Sequence, residues 1–168
     1  LHGGAIWLTS APGQGSTFYV ALPARDQAIS PPELQTGVPP TPEEKPHILV
    51  VDDNQEALDI LTTYLTGAGY RVTQATGGAR GLELARELVP DIITTDLMMP
   101  GMNGWELIEQ LKSDPATAAI PVVTVSIVDS RPAGLWPAVD AHLSKPIHRE
   151  ALLEAIALVF LVMYLFLQ

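Results

Sequence analysis

The stretch DIITTDLMMPGMNG, residues 91–104, joins an apolar run to a turn rich in Met, Pro and Gly. Asp96 stands at the junction between the two halves. An earlier apolar run, residues 48–51, also ends in acid, at Asp52 and Asp53. If both runs are parallel strands, their carboxyl ends meet at one edge of a sheet and bring the three carboxylates together.

Two later runs end in side chains that complement these acids. Residues 122–125 are followed by Ser126, and a shorter stretch ends in Lys145 before Pro146. The residue before a proline is pushed out of the helical region, which favours an extended Lys145 at a strand end. Taken alone, Lys145 is also compatible with a surface position, and Ser126 with a turn. Together with the acids, they predict a crevice that binds a divalent cation and phosphorylates a carboxylate.

Apolar runs alternate with helical periodicity from His47 onward. We expect strands near 47–52, 70–75, 91–96, 120–125 and 141–144, and helices near 54–67, 77–88, 103–113 and 148–166. Asn54 and Thr76 are predicted to cap the first two helices. The side chains that the second helix is predicted to bury are Leu82, Leu84 or Ala85, and Leu88. This alternation indicates an α/β fold, with a parallel sheet covered by helices on both faces.

The amino-terminal part has a different character. Residues 1–22 read as two short strands, 5–9 and 16–22, joined by turn chemistry, so a hairpin is predicted. Seven prolines among polar residues follow in 23–46, which we interpret as a linker. The remaining residues, 47–168, form the predicted α/β domain. Because the chain does not begin with Met, we expect it to be a fragment of a longer protein.

Composition argues against several classes of protein. The 168 residues include no Cys, which rules out disulfides and thiolate metal sites. Nine basic residues against nineteen acidic ones give a net charge of −10, which argues against a nucleic-acid surface and against attraction to anionic lipid. The first residues lack the basic region and apolar core of a signal peptide, so a cytoplasmic location is expected.

The adjacent carboxylates of Asp52 and Asp53 would repel each other unless a cation balances them. Mg²⁺ prefers oxygen ligands and retains waters. We expect Asp53 and Asp96 to bind it directly and Asp52 through water, with the backbone carbonyl of Met98 nearby. The competing interpretations are that Asp52 or Asp53 merely caps the following helix, and that Asp96 is a solvated acid beginning a turn.

The sequence at these positions resembles that of response-regulator receiver domains. The resemblance covers residues 46 to about 160 and rests on four segments: ILVVDDN at 48–54, DLMMPGMNG at 96–104, VS at 125–126 and LSKP at 143–146. It implies a flavodoxin-like, doubly wound sheet of five parallel strands in the order 2-1-3-4-5, with five helices.

The resemblance also implies a role for each residue of the crevice. Asp96 would be the phosphoacceptor that takes a phosphoryl group from phosphohistidine, and Asp52 and Asp53 would serve Mg²⁺. Lys145 and Ser126 would contact the phosphoryl group, with Ser126 as the switch hydroxyl. The implied function is two-component phosphorelay signalling, with a histidine kinase core or a histidine phosphotransfer protein as partner.

The hairpin resembles the last strands of a histidine-kinase ATP-binding domain, through HGGAIWL at 2–8 and PGQGSTF at 12–18. The glycine boxes that bind nucleotide in that family lie upstream of such strands and are absent here, so this chain is not expected to bind ATP. The parent protein is predicted to be a hybrid sensor histidine kinase, of a kind that can be attached to a membrane.

Three positions depart from the pattern of the family. His142 stands where a Tyr or Phe usually swings inward with the switch hydroxyl, so coupling is expected to be weaker or pH-sensitive. Met98 and Val128, two residues beyond the phosphoacceptor and the switch hydroxyl, offer no hydrogen bond to water, which predicts slow self-dephosphorylation. Prolines and a glycine within residues 127–139 predict a short, irregular helix.

The carboxyl-terminal residues 155–167 are apolar on every side. A bilayer span needs ~20 apolar residues, so we interpret them as the overextended end of the last helix. The alternatives are a homodimer contact or association with a membrane. Two other functions stay open: an aspartate-nucleophile phosphohydrolase, which would need a second acid at Met98, and a docking module that is not phosphorylated.

Overall fold

The computed structural model describes residues 5–11, 15–21, 45–127 and 139–166. Two units, residues 1–41 and 42–168, are described separately. In the first, β1 (Ala5–Ala11) and β2 (Gly15–Ala21) pair antiparallel, in agreement with the predicted hairpin. Most of the predicted linker, and the irregular helix predicted within 127–139, lie outside the described residues.

The second unit is built on a five-stranded parallel sheet. Its elements in chain order are β3 (His47–Asp52), α1 (Gln55–Gly67), β4 (Arg71–Thr76), α2 (Gly78–Leu88), β5 (Ile92–Thr95), α3 (Gly104–Ser113), β6 (Val122–Ser126), β7 (Ala141–Ser144) and α4 (Arg149–Phe166). The strands lie in the order β4-β3-β5-β6-β7, with every neighbouring pair parallel. Counted along this unit, the order is 2-1-3-4-5, which confirms the predicted flavodoxin-like fold.

The sheet separates two apolar cores because successive side chains of a strand point to opposite faces. Leu49, Ile93 and Val122 pack on one face against α2 and α3. On the other face, Ile48 and Val123 pack against α1 and α4. Both faces of the central strands are therefore dry, as a doubly covered parallel sheet requires.

The helix ends show one correct capping prediction and one wrong one. The Asn54 side chain caps α1 by accepting hydrogen bonds from the backbone N–H groups of Glu56 and Ala57. The predicted cap at Thr76 is wrong, because Thr76 still belongs to β4 and pairs with Asp52. Gly77 occupies the cap position of α2 with φ +95°, and no side chain bonds there.

Helix α2 buries Leu82, Leu84 and Ala85, as predicted. The prediction that Leu88 is buried is wrong: 37% of its surface is exposed. Leu88 is the last residue of the helix, and the chain turns away directly after it at Val89. Periodicity identifies the inner face of a helix but not the point at which the helix outruns the core.

Helix α4 lies on the core through Leu152, Ile156 and Val159. Its second half leaves several apolar side chains exposed, among them Leu158 and Leu161. Across the ranges that the structure describes, none of the helices combines the length and the hydropathy needed to cross a membrane.

Candidate functional site

Three carboxylates meet at the carboxyl ends of the neighbouring strands β3 and β5. Asp52 ends β3, Asp53 follows it, and Asp96 follows β5 directly. One carboxylate oxygen from each residue lies within 4.8 Å of the other two. Asp52 and Asp96 are buried, whereas Asp53 is exposed and opens the cluster to solvent.

Lys145 joins the two buried carboxylates. Its Nζ donates hydrogen bonds to Asp52 Oδ2 (2.8 Å) and to Asp96 Oδ2 (2.5 Å). Burial alone would lower the pKa of the Lys145 ammonium group, but the hydrogen bonds to both carboxylates and their charges raise it above its usual value. The side chain therefore carries a full positive charge at neutral pH and faces the crevice, where the sequence predicted it.

The Asp96 carboxylate is held in one orientation. Its Oδ1 accepts a hydrogen bond from the backbone N–H of Met98 (3.0 Å), while Lys145 occupies Oδ2. The Asp96 N–H donates to the carbonyl of Val51 (2.9 Å), which ties the residue to the neighbouring strand β3. Both carboxylate oxygens therefore have a donor that fixes their position.

Asp52 is not a helix cap. Its Oδ1 accepts a hydrogen bond from the Asn54 N–H (2.9 Å) and its Oδ2 accepts one from Lys145. The cap of α1 is Asn54 itself, so the interpretation of Asp52 or Asp53 as the cap is wrong. Asp96 is buried, which also rules out the solvated acid of an ordinary turn.

The other predicted site residues are Ser126, Met98, His142 and Val128, and they occupy different environments. Ser126 is buried at the end of β6, and its carbonyl accepts a hydrogen bond from the backbone N–H of Lys145 (3.0 Å). Met98 is 59% exposed, and its backbone N–H bonds to Asp96. His142 lies in β7 beside Thr124, with 2.8 Å between Nδ1 and Oγ1. Val128 lies outside the described residues.

Gly104 supports the site and was given no role by sequence reasoning. It begins α3, and a Cβ added there would overlap the carbonyl oxygen of Asp96 and come within 2.7 Å of the Leu97 Cα. Its N–H donates to the Leu97 carbonyl (3.1 Å). A glycine as the first residue of a helix is a poor helix former, and this was the available signal of a close backbone approach.

The donor set fits a hard divalent cation. Among the residues that the structure describes, the ion pairs of these three carboxylates are those of Lys145 with Asp52 and Asp96, which leaves room for a further cation beside Asp53. Oxygen atoms at this spacing are the ligands that Mg²⁺ prefers. An acidic pocket with an adjacent lysine can thus bind a cation and take charge from a phosphoryl group.

Comparison with known proteins identifies a family that this chain matches in sequence. The sequence profile of the response regulator receiver domain matches residues 48–157. The chain is 38% identical to the protein PilH of Pseudomonas aeruginosa over 112 residues, 65% of this chain and 93% of PilH. It is 34% identical to the sensor histidine kinase AtsR of Burkholderia thailandensis over 160 residues, 89% of this chain. It thus spans almost all of PilH but only 26% of AtsR.

A solved structure shares the fold. The N-terminal domain of a response regulator receiver protein from Methanoculleus marisnigri is 36% identical, with a TM-score of 0.56, over 66% of this chain and 92% of that one. Receiver domains of this kind interact with histidine kinases or phosphotransfer proteins, and they generally bind Mg²⁺ through an acidic pocket. On profile, relatives, topology and the acidic crevice together, this chain belongs to the response regulator receiver domain family.

Proposed function

We propose that Asp96 accepts a phosphoryl group from a phosphohistidine in a two-component phosphorelay. The observation that carries the proposal is the position of Lys145 Nζ, which bridges Asp96 and Asp52 beside the exposed Asp53. A buried carboxylate that two donors hold in one orientation is positioned to attack phosphorus once one of its oxygens is released.

The transfer forms one bond to phosphorus and breaks another, and it needs no further reactant. A carboxylate oxygen of Asp96 forms the new O–P bond while the P–N bond of the phosphohistidine breaks. The electron pair of the P–N bond returns to the imidazole nitrogen, which takes a proton from solvent if the imidazole leaves as an anion. Lys145 keeps its bond to Asp52 and passes its contact with Asp96 to a phosphoryl oxygen.

Mg²⁺, held by Asp53 and Asp96, by Asp52 through water and by the Met98 carbonyl, would supply positive charge against the phosphoryl oxygens. The residues of the chain orient the nucleophile and leave access for the donor. The Met98 N–H fixes one oxygen of Asp96, and the exposed Asp53 leaves the mouth of the crevice open to the donor.

Ser126 and His142 are proposed to carry the response. Ser126 lies at the end of the strand next to Asp96, which supports a hydrogen bond from its hydroxyl to the phosphoryl group. His142 pairs with Thr124 across β6 and β7, so a shift of the β6 end would reach it through that pair. Weaker or pH-sensitive coupling through His142 stays a prediction, as does slow self-dephosphorylation owing to Met98 and Val128.

The domain organisation is a proposal as well. Residues 1–22 would be the end of a histidine-kinase ATP-binding domain, 23–46 a linker and 47–168 the receiver. The similarity to AtsR supports this division, because it covers 89% of this chain and therefore extends beyond the receiver. A hybrid kinase with a cytoplasmic receiver is the parent that this arrangement implies.

One experiment separates the three candidate functions. The chain is incubated with phosphoramidate, a P–N donor, and Mg²⁺, and its intact mass is measured. We expect one added phosphoryl group, absent in Asp96→Asn and retained in Asp59→Asn, whose carboxylate lies on the exposed side of α1. Multiple turnovers of free phosphate would instead indicate a phosphohydrolase. No reaction in any variant would indicate a docking module.

A further inference from the structure

An apolar groove lies at the edge of the sheet opposite to Asp96. It has a volume of about 640 Å³ and runs between the amino ends of β5 and β7 and the second half of α4. Its apolar lining includes Val89, Pro90, Ala119, Ile120, Leu158 and Val162. The groove is therefore remote from the phosphoacceptor site and is not used by the proposed function.

The groove adjoins an apolar stripe on α4. The family profile ends at residue 157, but the helix continues to Phe166 for about 13 Å at 1.5 Å per residue. The stripe lies at helical spacing and consists of Leu158, Leu161, Val162 and Leu165. Each of these residues exposes between 45% and 53% of its surface. The stripe and the groove share Leu158 and Val162, so they form one continuous surface.

The helix that bears the stripe is firmly seated. On its inner side Val159 is buried, and the Phe160 ring stacks on Tyr70 with 5.8 Å between ring centroids and 6° between planes. The residues of the stripe are therefore exposed although the helix that bears them is packed on the core. A patch of this kind on a packed element marks an interaction surface.

Val89 supplies a second, independent observation. It follows α2 in the left-handed region at φ 42°, where a β-branched side chain is strained and Gly or Asn is preferred. Val89 is 56% exposed and lines the groove, so much of its side chain is open to a partner. Strain held at an exposed apolar residue points to a use of that side chain outside the monomer.

The residues that line the groove indicate what kind of segment binds there. Two acids line it, but Asp91 accepts a hydrogen bond from the His47 N–H (2.6 Å) and Asp140 accepts one from the Val122 N–H (2.8 Å). Both carboxylates are held by backbone donors at the sheet edge, and every other residue that lines the groove is apolar. It fits an uncharged apolar helix, and residues 155–166 of α4 carry no charged side chain.

We propose that the groove binds α4 of a second copy of this chain. In a two-fold dimer, the stripe of each copy lies in the groove of its partner, and the shared residues Leu158 and Val162 meet near the axis. A lipid surface fits less well, because Arg149 is the single basic residue of α4 and the chain carries −10 overall. The Asp96 edge stays open in such a dimer.

The test is the oligomeric state of the full chain, measured by sedimentation velocity from low to high micromolar concentration. We expect a reversible dimer whose dissociation constant rises roughly tenfold or more in Val162→Glu. Val89→Asn should also weaken the dimer while leaving the melting temperature at high dilution unchanged or raised, because Asn tolerates the left-handed region. Ile60→Glu, at an exposed apolar position of α1, is the matched control and should dimerise normally.

A chain that stays monomeric throughout this range would overturn the proposal, as would a dimer that Val162→Glu and Val89→Asn leave intact. Binding to phosphatidylglycerol vesicles without self-association would assign the surface to lipid and overturn it too. Because Asp96 is at the other edge of the sheet, phosphoryl uptake should be equal in the dimer and in Val162→Glu. The outcome is therefore independent of the phosphorylation experiment.

Discussion

Gly104 packs directly on the backbone carbonyl of Asp96, at a distance that leaves no room for a side chain. Gly104→Ala should therefore push the start of α3 away from the Asp96 backbone. We expect a loss of about 1–3 kcal/mol in the free energy of unfolding, measured by urea denaturation, together with slower phosphoryl uptake. The control is Gly67→Ala, because Gly67 has no neighbouring atom within 4 Å of an added Cβ. Equal stability of Gly104→Ala and the parent chain would contradict the close packing.

Lys145 competes with a cation for the same carboxylates, and this allows a test that separates charge from structure. Lys145→Met should lower the rate of phosphoryl uptake roughly a hundredfold, because the charge on the phosphoryl oxygens is no longer offset. The same change should tighten Mg²⁺ binding, measured by calorimetry, since Asp52 and Asp96 lose their internal cation. A variant that merely disturbed the fold would lose both properties. Lys45→Met, at an exposed lysine, should alter neither.

Asp53 is the exposed acid of the cluster and the one without a hydrogen bond to Lys145 among the bonds described for that lysine. Asp53→Asn should weaken Mg²⁺ binding roughly tenfold or more without lowering stability, because Asp53 has no ion pair with another described residue. Removal of divalent cations with a chelator should abolish phosphoryl uptake by the parent chain. Unchanged Mg²⁺ affinity in Asp53→Asn, with Asp59→Asn as the reference, would exclude Asp53 as a ligand.

His47 predicts a pH dependence of stability. Burial, followed by the charge of Arg71, lowers the pKa of His47 below its ordinary value of 6.5, although Asp91 acts in the opposite direction. The folded state then binds a proton less readily than the unfolded chain, so stability is full above pH 6.5 and falls as the pH drops through the folded pKa.

The measurement is the melting temperature between neutral pH and mildly acidic pH. His47→Gln, which can still bond to Thr73, should lose less stability over this range than the parent chain. The exposed His148 offers the control, and His148→Gln should follow the parent curve. Parallel curves for His47→Gln and the parent would show that His47 does not titrate with unfolding.

Much of the fold could be predicted because its signals are local. Apolar runs of strand length and the Asn54 cap each depend on a few neighbouring residues, and all were placed within about two residues. The acidic ends of β3 and β5 followed from the rule that parallel strands share an edge. The errors at Thr76 and Leu88 arose because contacts distant in sequence determine these positions. Thr76 stays in β4 because it pairs with Asp52, and Leu88 is exposed because the helix extends past the core. The role of Gly104 depends on two backbones that meet only in the folded chain.

Lys145 bonds to Asp52, which is 93 residues earlier in the chain, and to Asp96, which is 49 residues earlier. During translation, the ribosome thus completes the acidic pair well before it adds the lysine. A nascent or truncated chain that stops short of β7 holds the carboxylates without their internal cation. Phosphoryl uptake by such a chain would therefore stay slow until the last strand has docked and Lys145 has reached the two carboxylates.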